Sequence, residues 1–163
     1  MLAKIIEDYK VVNSVGNNVG KIKDIYIDLD TWLINSLEIS PGTMKKDILI
    51  DVDDIVKFDE TDKIIIVKDE FESKEIPTHP MKGNYPFEEL RKHHVVDSEG
   101  EKIGKVYNLE IPFEKLKTFK VWKVLIKTGF KDRRLRINTS EITEVMDDIK
   151  LARKNEYYTG EEE

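Results

Sequence analysis

Residues 11–23 read Val-Val-Asn-Ser-Val-Gly-Asn-Asn-Val-Gly-Lys-Ile-Lys, and residues 95–107 read Val-Val-Asp-Ser-Glu-Gly-Glu-Lys-Ile-Gly-Lys-Val-Tyr. When the second stretch is shifted by 84 positions, its two glycines and the lysine that follows them coincide with those of the first. Farther along the chain, Ile50 matches Ile137 at a shift of 87 positions. The matches keep the same order in both halves, which predicts the duplication of one folding unit.

The four glycines of these stretches are predicted to be structural turn residues. Gly16 and Gly100 fit a tight hairpin turn that requires a positive φ. Gly20 and Gly104 fall at the start of the next strand, where the missing side chain allows two backbones to approach closely. A phosphate-binding loop is disfavoured, because only three residues separate the glycines and neither a Ser or Thr nor a helix follows the lysine.

Each copy is predicted to be a series of short strands, because apolar and polar residues alternate between turn signals. In the first copy the strands are predicted at residues 10–13, 19–29, 33–40, 47–52 and 63–68, with a helical turn at 53–56 capped by Asp53. Closing such strands into a barrel removes exposed edges. The sequence therefore predicts a mainly all-β fold of two small antiparallel barrels in tandem, with short helical turns.

The prolines indicate how the chain is divided. Residues 73–86 contain three of the five prolines and a glycine, which is typical of a semi-rigid linker. We therefore predict a first barrel at residues 1–72 and a second at 87–154, which begins with a short helix. Residues 155–163 end in Gly-Glu-Glu-Glu and are predicted to be a disordered acidic tail.

The short helix, the pattern Val-Val-x-Ser-x-Gly-x-x-Val/Ile-Gly-Lys and the Ile-Tyr-Ile-Asp strand at residues 25–28 resemble the PRC-barrel domain. That family includes the cytoplasmic domain of the photosynthetic reaction centre H subunit, the C-terminal domain of the bacterial 16S rRNA maturation factor and small archaeal proteins. The resemblance implies a β-barrel that docks onto partners, with no catalytic residue to carry over. Where the first copy has Asp28 the second has Pro112, so a role tied to that acid does not transfer.

The composition sets further limits. The chain of 163 residues has no cysteine, which excludes disulfides, zinc–thiolate sites and iron–sulfur clusters. Its net charge of -6 argues against a general nucleic-acid coating protein. It contains 22 Lys against 5 Arg and no Gln, a usage that suits an archaeal or thermophilic source. We find neither a signal peptide nor an apolar stretch of about 20 residues, so we expect no membrane span and a cytoplasmic location.

No arrangement of residues points to catalysis, a cofactor or a metal ion. The acidic clusters lack the ordered oxygen spacing and closing glutamate of a calcium loop. Adjacent histidines on a strand point to opposite faces, which disfavours a shared metal ion. We therefore expect a protein that is not an enzyme and has no cofactor. The acids concerned are Asp28, Asp30, Asp51, Asp53 and Asp54, and the histidines are His79, His93 and His94.

Charge is distributed unequally between the copies. Residues 47–75 contain eleven acids against four lysines, whereas residues 113–136 contain nine basic residues against two acids. The basic hairpin is the candidate surface for a protein partner or RNA, and its aromatic residues, Phe119, Trp122 and Phe130, would suit base stacking. A solvated face and head-to-tail self-association are the other interpretations. The candidate residues are Lys120, Lys123, Lys127, Lys131, Arg133, Arg134 and Arg136.

Two functions remain open. The first is a non-enzymatic adaptor that binds other proteins. By resemblance to archaeal members of the family, these would be division-ring or membrane-anchoring proteins in a cell-division or envelope complex. The alternative is an RNA- or ribosome-associated factor that uses the basic hairpin. Association into a homo-oligomer is compatible with both.

Overall fold

The computed structural model of the chain describes residues 3–42, 45–112, 119–129 and 133–160. The strands form two sheets, one of eight strands and one of six. The helical segments are short, and the two α-helices have four residues each. The predicted mainly β fold is confirmed.

The first half forms the eight-stranded sheet, and the strands lie in the order β5-β6-β1-β2-β3-β4-β7, with β8 paired to β2. A 3-10 helix over Val52–Asp54 separates β4 from β5. The elements are α1 (Ala3–Ile6), β1 (Lys10–Asn13), β2 (Asn18–Ile27), β3 (Ile34–Ser40), β4 (Ile48–Asp51), β5 (Ile55–Asp59), β6 (Ile64–Val67), β7 (Ser73–Lys74) and β8 (Tyr85–Pro86).

The second half forms the six-stranded sheet, in the order β12-β11-β10-β9-β14-β13. Its elements follow the order of the first half, including a 3-10 helix over Thr139–Glu141 between β12 and β13. A further 3-10 helix covers Asn155–Gly160. The other elements are α2 (Phe87–Leu90), β9 (His94–Val96), β10 (Lys102–Glu110), β11 (Lys123–Thr128), β12 (Arg134–Asn138), β13 (Ile142–Val145) and β14 (Asp148–Leu151).

The sheets differ from closed antiparallel barrels in two respects. Neither hydrogen-bonded ladder closes on itself among the described strands. Each sheet also contains one parallel pair, β1 with β6 and β9 with β14. Alternation of apolar and polar residues reports which side chains share a face, but it carries no information on strand direction.

The 3-10 helix after β4 corrects one local prediction. Asp51, and not Asp53, caps it, because the Asp51 carboxylate accepts a hydrogen bond of 3.1 Å from the backbone N–H of Asp53. The helix ends at Asp54, and the predicted helical turn at 53–56 gives way to β5, which begins at Ile55. An acidic residue before a short apolar run fits a cap at more than one position, so the sequence alone did not fix the register.

The predicted linker is tied to the first sheet at both ends. Ser73 and Lys74 pair with β4, and Tyr85 and Pro86 pair with β2. Between them, the backbone N–H of Leu29 donates a hydrogen bond of 2.9 Å to the carbonyl of Lys82. The segment therefore runs along the sheet of the first half before it enters α2.

The C-terminal segment corrects the predicted disordered tail as far as the structure describes it. Tyr158, in the 3-10 helix over Asn155–Gly160, is only 1% exposed, and its hydroxyl accepts a hydrogen bond from the backbone N–H of Arg153. The backbone N–H of Asn155 donates to the Asp97 carboxylate at 2.9 Å. The buried ring of one tyrosine provides enough apolar area to anchor this polar segment. The prediction of disorder relied on the average composition of the segment, which does not show the effect of a single buried residue.

The two halves are joined by reciprocal contacts. The N–H of Ile34 donates to the carbonyl of Phe119 at 2.6 Å, and the N–H of Val121 donates to the carbonyl of Trp32 at 2.8 Å. Positions 34 and 121, like positions 32 and 119, correspond at the shift of 87 found in the sequence. Each half thus gives the other the same hydrogen bond, as the partners of a two-fold symmetric interface do.

The short helices cross to the opposite half in the same reciprocal way. Helix α1 packs against β10, and the N–H of Lys4 donates to the Asn108 side-chain oxygen at 3.1 Å. Helix α2 packs against β2, and the N–H of Glu88 hydrogen-bonds to the Asp24 carboxylate. Buried side chains of both halves belong to one continuous hydrophobic core. The halves therefore form a single packed body.

Candidate partner-binding face

A row of cationic side chains crosses the second sheet. Lys105 on β10 lies opposite Lys127 on β11, and Lys127 lies opposite Arg134 on β12. Residues that are directly opposite on antiparallel strands point to the same face. All three side chains are exposed. Because neighbouring strands are about 4.8 Å apart, the register sets three positive charges side by side. We call Lys105, Lys127 and Arg134 the basic row.

A bulge in β10 adds an aromatic residue to this face. The pairing between β10 and β11 shifts between Val106 and Asn108, which leaves Tyr107 as the extra residue. The guanidinium carbon of Arg134 lies 5.3 Å from the centroid of the Tyr107 ring, in cation–π geometry. The Arg134 side chain is thereby held over the ring.

Helix α2 forms one wall of a groove beside the basic row. The groove has a volume of about 760 Å³ and lies between α2 and the adjoining strands β9, β10 and β11. Arg91 and Lys92 follow α2 and line it, and each is paired with an acid one turn earlier, Glu88 at 2.8 Å and Glu89 at 2.6 Å. The hydrogen bond to Glu89 raises the pKa of Lys92.

Three of the remaining predicted basic residues, Lys120, Lys123 and Arg136, lie away from the basic row. Lys123 lies opposite Glu110, four residues along β11 from Lys127, which is a distance of roughly 13 Å. Arg136 donates to both carboxylate oxygens of Glu110, at distances of 2.7 to 3.0 Å. Lys120 pairs with Leu33 where the two halves meet. The predicted basic hairpin is therefore not one continuous patch.

Two predicted residues stand apart from this pattern. Arg133 is half-buried and lines a neighbouring cavity that also contacts Tyr158. Lys131 lies outside the described residues, as does Phe130. The exposed Trp122 is at the Lys123 end of β11, away from the basic row.

The face of the first sheet that corresponds to the basic row, at the shifts of 84 and 87 positions, has a different composition. At the position of Arg134 the first half has Asp47, whose carboxylate accepts a hydrogen bond of 2.6 Å from Lys23. Glu38 lies 3.8 Å from the Lys23 amine and accepts a hydrogen bond of 2.8 Å from the Tyr26 hydroxyl. Burial raises the pKa of Glu38, whereas the hydrogen bond from Lys23 lowers the pKa of Asp47. This face is a self-compensated network of acids and one lysine.

Asp24 and Asn108 occupy equivalent positions in the two halves. Each side chain accepts a hydrogen bond from the N–H of the next residue and another from the crossing helix. Asp24 is buried, and desolvation together with the nearby carboxylates of Glu88 and Glu38 raises the pKa of Asp24 from 3.8 to about 7. The same junction therefore carries a titratable acid in one half and a neutral amide in the other.

The acidic stretch of the first half is largely on the surface. Several of its acids serve local structure: Asp59 accepts hydrogen bonds from the N–H groups of Thr61 and Asp62, both at 3.0 Å, and Asp54 lies 3.8 Å from Lys68. The exposed acids of this stretch are Asp53, Glu60, Asp62, Asp69, Glu70, Glu72 and Glu75.

Asp28 and His93, which the sequence analysis also considered, have structural partners. Asp28 accepts hydrogen bonds from the N–H groups of Asp30 and Thr31. His93 bonds to the Tyr85 hydroxyl at 2.6 Å and to the carbonyl of Asp147 at 2.9 Å. Among the residues that the structure describes, no group of three His, Asp or Glu side chains is placed to hold a metal ion.

The four turn glycines fall into two geometries. Gly16 and Gly100 have φ angles of +90° and +84°, and a Cβ there would meet no atom within 4 Å. At Gly20, a Cβ would overlap the carbonyl oxygen of Ser40, and at Gly104 it would overlap that of Lys127. Gly104 also borders the groove, where its bare backbone forms part of the wall.

The contribution of Lys105, Arg91 and Lys92 to this face is not predicted from the sequence. The sequence assigns Lys105 only to the glycine turn, and Arg91 and Lys92 only to the region of a short helix. A hairpin register anchored on Gly104 and Thr128 would have placed Lys105 opposite Lys127. No local signal indicates that α2 borders the same groove, because that contact depends on the packing of the two halves.

Comparison with known protein families gives one match. The model of the PRC-barrel domain matches residues 2–73, so the first half contains a PRC-barrel domain, a small β domain often found in protein-interaction roles. No curated protein matches the chain. None of the described helices has the length and apolar character needed to cross a lipid bilayer.

Proposed function

We propose that this chain is a non-enzymatic adaptor that binds protein partners through two PRC-barrel units fused in one molecule. The PRC-barrel domain of the first half supports the protein-binding role. The second half repeats the order of elements, the turn glycines and the paired 3-10 helices of the first. These features support its interpretation as a second copy of the same domain.

One observation carries the proposal, the contrast between equivalent faces of the two halves. In the second half the basic row places three exposed cations side by side, whereas in the first half Lys23 is ion-paired with both Glu38 and Asp47. If both units bound the same ligand, we would expect the same charged residues at corresponding positions of the two faces. Different charges on the same scaffold are what two distinct partners require, since electrostatic complementarity mainly determines specificity.

The resemblance to adaptors of archaeal cell division suggests which partners to test first. These are proteins of a division ring or of its membrane anchor, in a cytoplasmic complex. An adaptor needs no reaction chemistry of its own.

Affinity capture from nuclease-treated extract of the source organism tests the proposal. A tagged full-length chain is expected to retain a small set of proteins, identified by mass spectrometry, in amounts unaffected by nuclease. Recovery of mainly ribosomal proteins and rRNA that disappears with nuclease treatment would contradict it.

RNA binding is the second candidate function, and the basic row is the observation in its favour. Several cations in a line would displace counterions from phosphates, so the affinity for RNA should fall steeply with salt. The experiment that separates the two candidates is gel retardation of rRNA fragments at low salt. The adaptor proposal expects no salt-sensitive retardation that depends on the basic row, whereas the RNA proposal requires it.

A further inference from the structure

We infer that the groove between α2 and the second sheet binds an extended, acidic segment of a partner protein. The groove is defined by its wall residues Arg91, Lys92, Lys105, Tyr107 and Lys127. Its volume of about 760 Å³ falls within the range of clefts that bind ligands. This inference rests on the proposed protein-binding function and specifies the chemistry of one partner.

The charge of the groove favours an anionic ligand. Four cationic side chains line it, and Glu88 is the one carboxylate among its described lining residues. Glu88 is engaged with Arg91 at 2.8 Å and Glu89, beside the groove, with Lys92 at 2.6 Å, so two of the four cations each already face an acid of α2. Arg134, held over the Tyr107 ring, extends the positive charge across β12. A cleft lined mainly by one sign of charge concentrates ligands of the opposite sign.

Comparison of the two halves indicates that most of this charge is specific to the second half, where only Lys105 has a lysine, Lys21, at the corresponding place. The shifts of 84 and 87 positions identify the residue at the corresponding place in the first half. Four cationic positions at the groove correspond to acidic or neutral residues: Arg91 to Glu7, Lys92 to Asp8, Lys127 to Ser40 and Arg134 to Asp47. The same scaffold is therefore built without cations at these four places in the first half, which supports a binding role for the cations of the second.

The groove offers little to a nucleic acid. Sequence-tolerant binding of single strands depends on exposed aromatic rings on which bases stack. Tyr107 and His94 are the residues with aromatic rings among the described lining residues, and the Arg134 guanidinium, 5.3 Å from the Tyr107 ring centroid, occupies one face of that ring. These features favour protein carboxylates over RNA phosphates.

An extended acidic peptide is long enough to contact both the groove and the basic row. Along an extended chain, side chains on one face repeat every 6.6–7 Å, roughly. The cations of the basic row are spaced by about 4.8 Å, and flexible lysine side chains cover the difference. The methylene chains of Lys105 and Lys127 provide a surface for apolar residues between the acids.

Fluorescence anisotropy with the intact chain tests the inference. The probe is a labelled, acetylated and amidated peptide of alternating Glu and Leu, and the control peptide has Gln in place of Glu. We expect saturable binding of the Glu peptide that weakens as salt increases, and binding of the Gln peptide that is at least about tenfold weaker.

Two double variants locate the site. Lys105→Glu with Lys127→Glu reverses adjacent charges in the groove and is expected to weaken binding about tenfold. Lys10→Glu with Lys21→Glu reverses two adjacent exposed lysines of the first sheet, at the same cost in net charge, and is expected to change affinity less than about twofold. Because all four side chains are exposed, the variants should fold, which circular dichroism checks.

Several results would overturn the inference. Equal weakening by the two double variants would indicate a general charge effect, and equal affinity for the Gln peptide would remove the role of acidity. Failure of the Glu peptide to bind would refute the groove assignment. The proposed protein-binding function would still stand if affinity capture retained proteins in amounts unaffected by nuclease. Displacement of the Glu peptide by single-stranded oligouridylate at equal or lower concentration would contradict both the groove assignment and the proposed protein-binding function.

Discussion

At the scale of single residues, Asp24 makes stability depend on pH. Its folded-state pKa is raised from 3.8 to about 7, so the folded protein holds this proton more tightly than the unfolded chain. The stability that the neutral form confers is fully present below about pH 4 and is lost as pH rises through about 7. The cause is desolvation of the carboxylate beneath α2.

The variant Asp24→Asn is expected to remove this dependence. The amide oxygen can still accept the hydrogen bonds from Ile25 and α2, as Asn108 does in the second half. Near pH 8 the variant should therefore be more stable than the parent by about 2–4 kcal/mol, with little difference near pH 4. Thermal unfolding across this range measures it, with Asn108→Asp as the reverse control. Parallel pH profiles of the parent and Asp24→Asn would contradict the assignment.

Residue-level prediction from the sequence succeeded where the determinant is local. The positive φ of Gly16 and Gly100 follows from the hairpin signal around each glycine. The position of Lys105 in the basic row was missed, because cross-strand neighbours depend on register and on a bulge at Tyr107. The burial of Asp24 was also missed, since the helix that covers it comes from the other half.

At the scale of elements, the strands of the first half were predicted closely. Strand β1 has the predicted bounds, and β3 begins one residue later than predicted. Strand β5 was missed, because the apolar run that begins it was assigned to a helical turn. Strand order and the parallel pairs β1–β6 and β9–β14 could not be predicted, since they depend on contacts between residues far apart in the chain.

The C-terminal 3-10 helix is an element whose contribution can be measured. Tyr158→Ala removes a fully buried aromatic ring and should lower the free energy of unfolding by about 3–5 kcal/mol. Tyr158→Phe removes only the hydroxyl bonded to Arg153 and should cost about 1 kcal/mol. Tyr157→Ala, at a half-exposed neighbour, should have a smaller effect than Tyr158→Ala. Denaturant unfolding that shows no loss for Tyr158→Ala would support a disordered tail.

At the scale of the whole molecule, the two halves are expected to unfold together. Reciprocal hydrogen bonds, exchanged helices and one continuous core couple them. Gly20→Ala and Gly104→Ala each place a methyl group against a backbone carbonyl, and each should destabilise the protein by about 1–3 kcal/mol. Calorimetry should show a single transition for both variants, shifted to lower temperature.

Gly83→Ala is the matched control, because a Cβ at Gly83 meets no atom within 4 Å. It should unfold close to the parent temperature. Two separate transitions, with only one of them shifted in each glycine variant, would mean that the halves are independent barrels and that the contacts between them contribute little.

The central claim is that the second half recognises protein through its cationic face. Its most direct test is quantitative affinity capture from nuclease-treated extract, comparing the parent with Lys105→Glu/Lys127→Glu and Lys10→Glu/Lys21→Glu. We predict that a defined subset of retained proteins is lost with the first double variant and kept with the second. Retention of the same proteins by both variants, or their equal loss from both, would contradict the claim.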